Sequence, residues 1–166
     1  MKIRKEKVSD IEAITQVTIE AFKTLEISNQ TEQFIIHALR AADALTLSLV
    51  AEMGDRIVGQ IAFSPVTISD GTTDWQGLGP ISVLPEYQRQ GIGTSLVDRG
   101  LSLLKGLGGR GCVLVGDPNY YQRFGFKNYP ELIHEGVPPE VFLALPFTET
   151  VPRGIVRFHE GFWATG

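Results

Sequence analysis

The stretch Leu84-Pro85-Glu86-Tyr87-Gln88-Arg89-Gln90-Gly91-Ile92-Gly93-Thr94-Ser95-Leu96 decides the fold, because it joins a predicted strand to a predicted helix. Apolar residues at helical spacing predict that helix over residues 92–104, and a cluster of glycines ends it. The apolar run over residues 112–115 predicts a buried strand. This order predicts a βαβ unit with two parallel strands and a right-handed crossover.

The loop at the start of this helix has the features of an anion-binding site. The first N–H groups of a helix have no intrahelical partner and carry a partial positive charge. Gly91 and Gly93 let the backbone approach phosphates closely, while Arg89 and Thr94 offer side-chain donors. A plain helix cap with two glycines is the alternative, because short glycine motifs recur by chance. A P-loop and a dinucleotide fingerprint do not fit, since Gly-Lys-Ser/Thr is absent and Leu96 replaces the third small residue.

The strand before the loop, predicted over residues 75–84, is irregular. Pro80 has no N–H for a central ladder, and two nearby glycines weaken regular pairing, so we expect a bulge or a splayed strand. A gap there would free the backbone groups of Ile81, Ser82 and Val83 to bind a ligand arm that lies like an added strand. An edge strand that tolerates proline is the alternative.

The rest of the chain surrounds this unit with further strands and helices. A first strand at Ile3 and two amphipathic helices, near residues 11–22 and 34–39, come before it. Gly54-Asp55 predicts a hairpin turn within residues 47–68, and Asp70-Gly71 predicts a second hairpin leading into the irregular strand. A short helix near residues 120–121 and late strands over 141–147 and 154–158 follow.

Composition limits the classes of function. A chain of 166 residues with 43% apolar and 20% charged residues predicts one globular domain, residues 1–166, and no run reaches the ~20 apolar residues of a membrane span. Residues 1–6 do not resemble a secretory signal, so the cytoplasm is the expected compartment. Cys112 as the single cysteine argues against a disulfide or a zinc cluster. A net charge of −4 argues against nucleic acid as a partner, so we expect a small molecule.

The opening stretch resembles the acetyl-CoA signature of the GNAT superfamily, in which Gln or Arg is followed by two residues, Gly, one residue, and Gly or Ala. The segment Tyr121-Gln122-Arg123-Phe124-Gly125-Phe126 is similar to the tyrosine-to-Gly-Phe segment that follows the fifth strand in many members. Further pieces look like a bacterial branch of predicted acetyltransferases. One departure is Gln90, which stands where many members carry Arg or Lys, so a charge contact to phosphate is missing or comes from Arg89.

The resemblance implies a mixed, mostly antiparallel α/β sheet with a splayed parallel strand pair at its centre. It also implies an N-acetyltransferase that uses acetyl-CoA, without a metal, and transfers the acetyl group directly to a primary amine of a small molecule or protein. A non-catalytic acyl-CoA-binding or sensing module is the alternative, and a nucleotide-binding domain is a weaker one. The expected cofactor-binding residues are Ile81, Ser82, Val83, Gln88, Arg89, Gln90, Gly91, Ile92, Gly93 and Thr94.

Tyr121 is the expected general acid, because a phenol with pKa about 10 can protonate a thiolate held in contact with it. The alternative is an aromatic ring that only packs against its neighbours. Residues 77–83 offer no carboxylate, so a water relay is the expected route for the proton of the amine.

Four side chains are further candidates for the general base: Glu26, His37, Ser64 and Asp74. His134 and His159 show no metal-like spacing, and Cys112 is expected in the core. The sequence leaves the acceptor, the acyl chain length and the oligomeric state open, including a homodimer.

Overall fold

The structure, a computed structural model, describes residues 1–25 and 28–166. Its strands are β1 (Lys2–Lys5), β2 (Leu47–Met53), β3 (Arg56–Pro65), β4 (Thr67–Ile68), β5 (Trp75–Val83), β6 (Gly111–Val115), β7 (Leu132–Ile133), β8 (Phe142–Pro146) and β9 (Gly154–Arg157). Its helices are α1 (Ile11–Phe22), α2 (Glu32–Ala41), α3 (Ile92–Gly106) and α4 (Pro118–Tyr121). None of the helices in the described ranges is long and apolar enough to cross a bilayer.

The main sheet has six strands in the order β1-β2-β3-β5-β6-β8. All its neighbours pair antiparallel except β5 and β6, which are parallel and joined through α3. The predicted fold class, a mostly antiparallel sheet with a central parallel pair, is therefore confirmed. The predicted β2–β3 hairpin is also present, and Gly54 at its turn adopts φ +60°.

The hydrophobic core lies between the six-stranded sheet and the helices. On one face Phe63 of β3 packs directly against Gly100 of α3, so closely that a Cβ at residue 100 would collide with the Phe63 ring. On the α1 side, Ile14 and Val17 are buried. These contacts hold the start of α3 at a fixed position beside β5, which is what positions the candidate site.

A smaller sheet of order β4-β9-β7 covers part of the molecule. The hairpin predicted at Asp70-Gly71 is present, because β3 and β5 pair antiparallel up to Pro65 and Gln76. The strand predicted to run on to Ile68 is interrupted after Pro65, and its end, β4, pairs with β9. The reason is burial: Ile68 packs into a second apolar cluster of the described residues, which includes Trp75, Val113 and Val156.

A bulge interrupts β5 opposite β3. Phe63 pairs with Leu78 and Ile61 pairs with Ile81, so two β5 residues oppose the single β3 residue between these pairs. The two residues are Gly79 and Pro80. The predicted irregularity is thus found where proline removes a ladder donor.

The parallel pair separates after three residues. Trp75, Gln76 and Gly77 of β5 pair with residues 111–113 of β6. Beyond this point β6 continues its pairing with β8 to Val115, while β5 stays paired with β3. The predicted gap therefore opens between residues 78–83 of β5 and the end of β6.

Candidate active site

The loop between β5 and α3 turns the start of the helix toward the gap. Arg89 and Gly91 adopt left-handed backbone conformations, with φ +63° and +85°. The first hydrogen bond of the helix runs from the N–H of Ser95 to the carbonyl of Gly91 at 3.0 Å. The N–H groups of residues 92–94 consequently have no partner within the helix, as the anion-site prediction requires.

Gly91 and Gly93 serve different purposes. At Gly91 a Cβ would meet nothing within 4 Å, so glycine is needed there for the left-handed backbone. Gly93 has no such φ, and a Cβ would make only ordinary contacts, 3.6 Å from Tyr120 Oη and 3.9 Å from Val83 Cγ2. The fold itself therefore has room for a side chain at residue 93.

A cavity of about 490 Å³ lies in front of this loop. Of the predicted residues, Gln88, Arg89, Gly91, Ile92, Gly93 and Thr94 line it, together with Ile81 and Val83. Gln90 does not line it; its side chain donates to the carbonyl of Glu86 at 3.3 Å. The side chain of Gln90, which replaces the Arg or Lys of many family members, therefore points back along the loop.

Three residues that line this cavity were not predicted as ligands: Tyr87, Tyr120 and Arg123. Tyr120 Oη lies 3.1 Å from Thr94 Oγ1, and the Arg123 guanidinium lies 4.3 Å from the Tyr120 ring centroid. Arg123 Nε also donates to the carbonyl of Tyr120 at 2.9 Å. Arg123 therefore supplies a second cation beside Arg89, although it comes from a different part of the chain.

The backbone of β5 presents alternate residues to the gap. The N–H of Leu84 donates to the carbonyl of Val58 at 2.8 Å, and antiparallel ladders alternate. The polar groups of Val83 and Ile81 consequently point away from β3, into the gap. The side chain of Gln88 reaches the carbonyl of Val83 at 3.0 Å, which agrees with this direction.

Ser82 does not share this orientation. Its backbone groups face β3 in the same alternation, and its buried Oγ lies 3.4 Å from Thr18 Oγ1 of α1. The contact from Ser82 to a ligand arm stays a prediction that this orientation does not support, whereas Ile81 and Val83 present backbone groups to the gap.

A second cavity of about 450 Å³ lies next to the first, and Ile81 lines both. Its walls come from both sides of the gap and from α1, α2 and the C-terminal segment. They are mostly apolar. The titratable side chains that line this cavity, within the described part of the chain, are Glu32, Tyr121 and His134.

Tyr121 is fixed at the junction of the gap and this cavity. Its ring lies against the backbone of Gly116, where a Cβ would be 2.7 Å from Tyr121 Cε2. It also packs edge-on against Phe126, with ring centroids 5.9 Å apart. Burial raises the pKa of Tyr121 to about 12, so its hydroxyl stays protonated at neutral pH. Tyr121 therefore packs against a neighbouring aromatic ring, as the alternative interpretation predicted, and also lines the cavity.

None of the described candidates for the general base lines the cavity that holds Tyr121. Ser64 is fully buried, and its Oγ has no hydrogen-bond partner among the described residues. Asp74 is exposed at the start of β5 with φ +65°. His37 is exposed on α2, 3.2 Å from Thr15 Oγ1. Glu26 lies outside the described residues.

Glu32 and His134 were missed as site residues. Glu32 Oε1 accepts a hydrogen bond from Ser28 Oγ at 2.7 Å, and His134 Nδ1 lies 3.0 Å from the carbonyl of Val156. Neither residue stands in a recognisable motif, because α2 and the segment after β7 meet only in the folded chain. A search for local spacing could not have found them.

Comparisons with known proteins identify the family. The model of the acetyltransferase (GNAT) domain matches residues 45–128. The uncharacterized N-acetyltransferase YhbS of Escherichia coli (strain K12) is 36% identical over 110 residues, which make up 66% of each chain. The chain thus matches slightly less than two thirds of that relative's length. This protein belongs to the GNAT acetyltransferase family.

Solved structures extend the likeness to nearly the whole chain. A GNAT family acetyltransferase from Brucella melitensis, in complex with acetyl-CoA, is 50% identical with a TM-score of 0.87, covering 97% of both chains. YhbS from Escherichia coli, in complex with CoA, is 31% identical with a TM-score of 0.88, covering 99% of this chain and 93% of that one. The predictions of the GNAT fold, of an N-acetyltransferase and of acetyl-CoA as co-substrate are confirmed at the level of the family.

Proposed function

We propose that residues 1–166 form one acetyltransferase domain that transfers an acetyl group from acetyl-CoA directly to a primary amine of a small molecule or protein. One observation carries the proposal: the gap between β5 and β6 runs from the free N–H groups of α3 to a cavity that contains Tyr121. The acetyl-CoA and CoA complexes of the two relatives support the same co-substrate.

The two ends of the gap suit the two ends of the co-substrate. The N–H groups at residues 91–94 bind the diphosphate, and Arg89 and Arg123 add positive charge. The backbone groups of Ile81 and Val83 pair with the amides of the thiol arm, which lies in the gap like an added strand. Its thioester then reaches the second cavity beside Tyr121.

The cavity supplies the acid for the chemistry. The neutral amine attacks the thioester carbonyl to form the C–N bond, the C–S bond breaks, and Tyr121 donates its proton to the leaving thiolate. The phenolate of Tyr121 then takes the proton that the acylated nitrogen loses. With a pKa of about 12, the phenol is a weaker acid than the sequence analysis assumed. The transfer is therefore favoured only where the thiolate is desolvated by the same apolar walls, because desolvation also raises the proton affinity of sulfur.

The alternative of a non-catalytic acyl-CoA sensor is not favoured, since a protonated phenol at the thioester end is of use for transfer and unnecessary for binding. Three expectations stay predictions: a primary amine of a small molecule or protein as the acceptor, the cytoplasmic location and a homodimer.

Ligand-dependent unfolding and thiol release test the proposal. At about 100 times its dissociation constant acetyl-CoA adds roughly 2.7 kcal/mol of stability, which raises the unfolding midpoint by several degrees. ATP and NAD at the same concentration should not do so. Free thiol should then appear when a panel of primary amines is added. Stabilisation by ATP or NAD without acetyl-CoA would contradict the assignment.

A further inference from the structure

His134 stands at the closed end of the gap, on the side away from α3. Gly77 is the last β5 residue that pairs with β6. The Phe158 ring lies directly on Gly77, where a Cβ would be 2.7 Å from Phe158 Cδ1. The His134 ring packs edge-on against Phe158, with centroids 4.9 Å apart. One aromatic ring therefore separates His134 from the point at which the two strands part.

The hydrogen bond to Val156 fixes which nitrogen of His134 is free. A backbone carbonyl can only accept, so Nδ1, 3.0 Å from Val156 O, must carry the hydrogen. In the neutral imidazole Nε2 then holds a lone pair. Within residues 1–25 and 28–166 no protein group hydrogen-bonds Nε2, and His134 lines the same cavity as Tyr121. The ring is thus held in a fixed orientation, with Nε2 as its free nitrogen.

The rest of this cavity indicates what kind of amine enters it. Its outer wall is apolar and mostly aromatic, formed by Phe22, Ile35, Phe158, Phe162 and Trp163. Glu32 is the carboxylate that lines it among the described residues. An apolar wall of this kind favours a ring-sized apolar body, and a lone carboxylate attracts a cationic ammonium group.

Resting on the acetyltransferase function proposed above, we propose that the acceptor is a primary amine on an apolar, ring-sized body and that His134 Nε2 is its general base. His134 takes one proton from the ammonium group, which frees the nitrogen lone pair to form the C–N bond. As the C–S bond breaks, Tyr121 gives its proton to sulfur. The phenolate then takes the second proton from nitrogen, and His134 releases the first to solvent.

Two acceptors of similar size test the substrate class. With saturating acetyl-CoA, 2-phenylethylamine should be acetylated with a kcat/KM about 10- to 100-fold above that of glucosamine, because only the phenyl ring gains from burial in the apolar wall. Glucosamine preferred over 2-phenylethylamine would overturn the acceptor class. So would a protein that is stabilised by acetyl-CoA yet acetylates neither amine.

A His134→Asn variant tests the base. The asparagine amide keeps an N–H near the position of Nδ1, so the bond to Val156 can survive while the proton acceptor is lost. With 2-phenylethylamine, kcat should fall about 100-fold or more. With phenylhydrazine, whose nucleophilic nitrogen is already neutral at the assay pH, the fall should be only about 5-fold, since less proton removal is needed. Added imidazole should restore part of the lost rate.

His159→Asn is the matched control. His159 is half-buried in the C-terminal segment, next to Phe158, but its Nδ1 accepts from the N–H of Gly161 at 2.9 Å, a helix-capping role that asparagine also fills. This variant should retain the wild-type kcat.

The acetyl-CoA thermal shift, measured in parallel on every protein, separates the two levels of the proposal. No shift in the wild type would remove the acetyltransferase function itself. A shift together with an unchanged kcat in His134→Asn, or an equal loss with both nucleophiles, would overturn the role of His134 alone.

Discussion

The cavity at the start of α3 and the cavity behind Tyr121 differ in how the chain builds them. The first is formed chiefly by residues 81–94, which are nearly continuous in sequence, and it offers backbone N–H groups and cations. The second is assembled from seven separate segments and offers aromatic walls with three titratable side chains. The first cavity therefore suits an invariant ligand group such as a diphosphate. In the second cavity, substitution of a single side chain can change which ligand binds.

The largest expected effect concerns two adjacent tyrosines that face different cavities. Tyr121→Phe removes the proton donor and should lower kcat about 100-fold while the dissociation constant of acetyl-CoA stays within about 2-fold. Tyr120→Phe removes the same hydroxyl from the other cavity, where it lies 3.1 Å from Thr94 Oγ1, and should alter acetyl-CoA binding more than kcat. Steady-state thiol release and titration calorimetry separate the two effects. Equal kcat values for Tyr121→Phe and the wild type would remove Tyr121 as the acid.

Two glycine substitutions test the backbone site. Gly93→Ala should weaken acetyl-CoA binding about 10-fold and leave the unfolding midpoint of the free protein nearly unchanged, because its Cβ meets only ordinary contacts in the free protein. Gly91→Ala should lower that midpoint by about 3 °C, since an alanine at φ +85° costs about 1 kcal/mol. A Gly93→Ala protein that binds acetyl-CoA as tightly as the wild type would place the diphosphate elsewhere.

Glu32→Gln should affect the second cavity alone. Removing the carboxylate should raise KM for a cationic amine about 5- to 10-fold, through the loss of one charge-assisted interaction. KM for acetyl-CoA and the rate with phenylhydrazine should change less than about 2-fold. A higher KM for acetyl-CoA instead would mean that Glu32 belongs to the co-substrate site.

Asp10 lies in neither cavity and should give the smallest effect on activity. Arg4 donates two hydrogen bonds to its carboxylate at 2.7 and 3.1 Å, and these bonds, with the N–H of Lys7, hold the pKa of Asp10 below its usual 3.8. Because the folded pKa is depressed, this stabilisation is fully present above pH 3.8 and is lost as the pH falls through the folded value.

Asp10→Asn should therefore lower the unfolding midpoint at pH 7 by about 5 °C, equivalent to about 2 kcal/mol, with kcat unchanged. The difference from the wild type should shrink below pH 4, which thermal scans across pH would show. A loss of kcat at temperatures where the variant is folded would mean that the β1–α1 junction is coupled to the site.

The sequence was informative where structure depends on neighbouring residues. Pro80 removes a ladder donor wherever it stands, so the irregular strand and its gap could be predicted. Gly91 and the helix pattern after it likewise located the free N–H groups. The orientation of Ser82 could not be predicted, because it depends on the register between β3 and β5 across the bulge.

The second cavity depended on contacts that no local pattern encodes. His134 lines the second cavity because β7 pairs with β9, which brings the segment after β7 beside Phe158. Glu32 reaches it because α2 packs against the C-terminal segment, with Gly161 next to Leu39. Arg123 lies in the segment that resembles the tyrosine-to-Gly-Phe segment of the family. Its direction toward the first cavity could not be predicted, because it depends on the fold of α4 and of the turn that follows α4.

A crystal structure of the protein with acetyl-CoA would show where the diphosphate and the thiol arm bind. We expect diphosphate oxygens within about 3 Å of the N–H groups of residues 91–94, and arm amides paired with Ile81 and Val83. The thioester should lie beside Tyr121. A diphosphate bound away from the start of α3, or an arm that avoids the gap between β5 and β6, would contradict the proposed binding site.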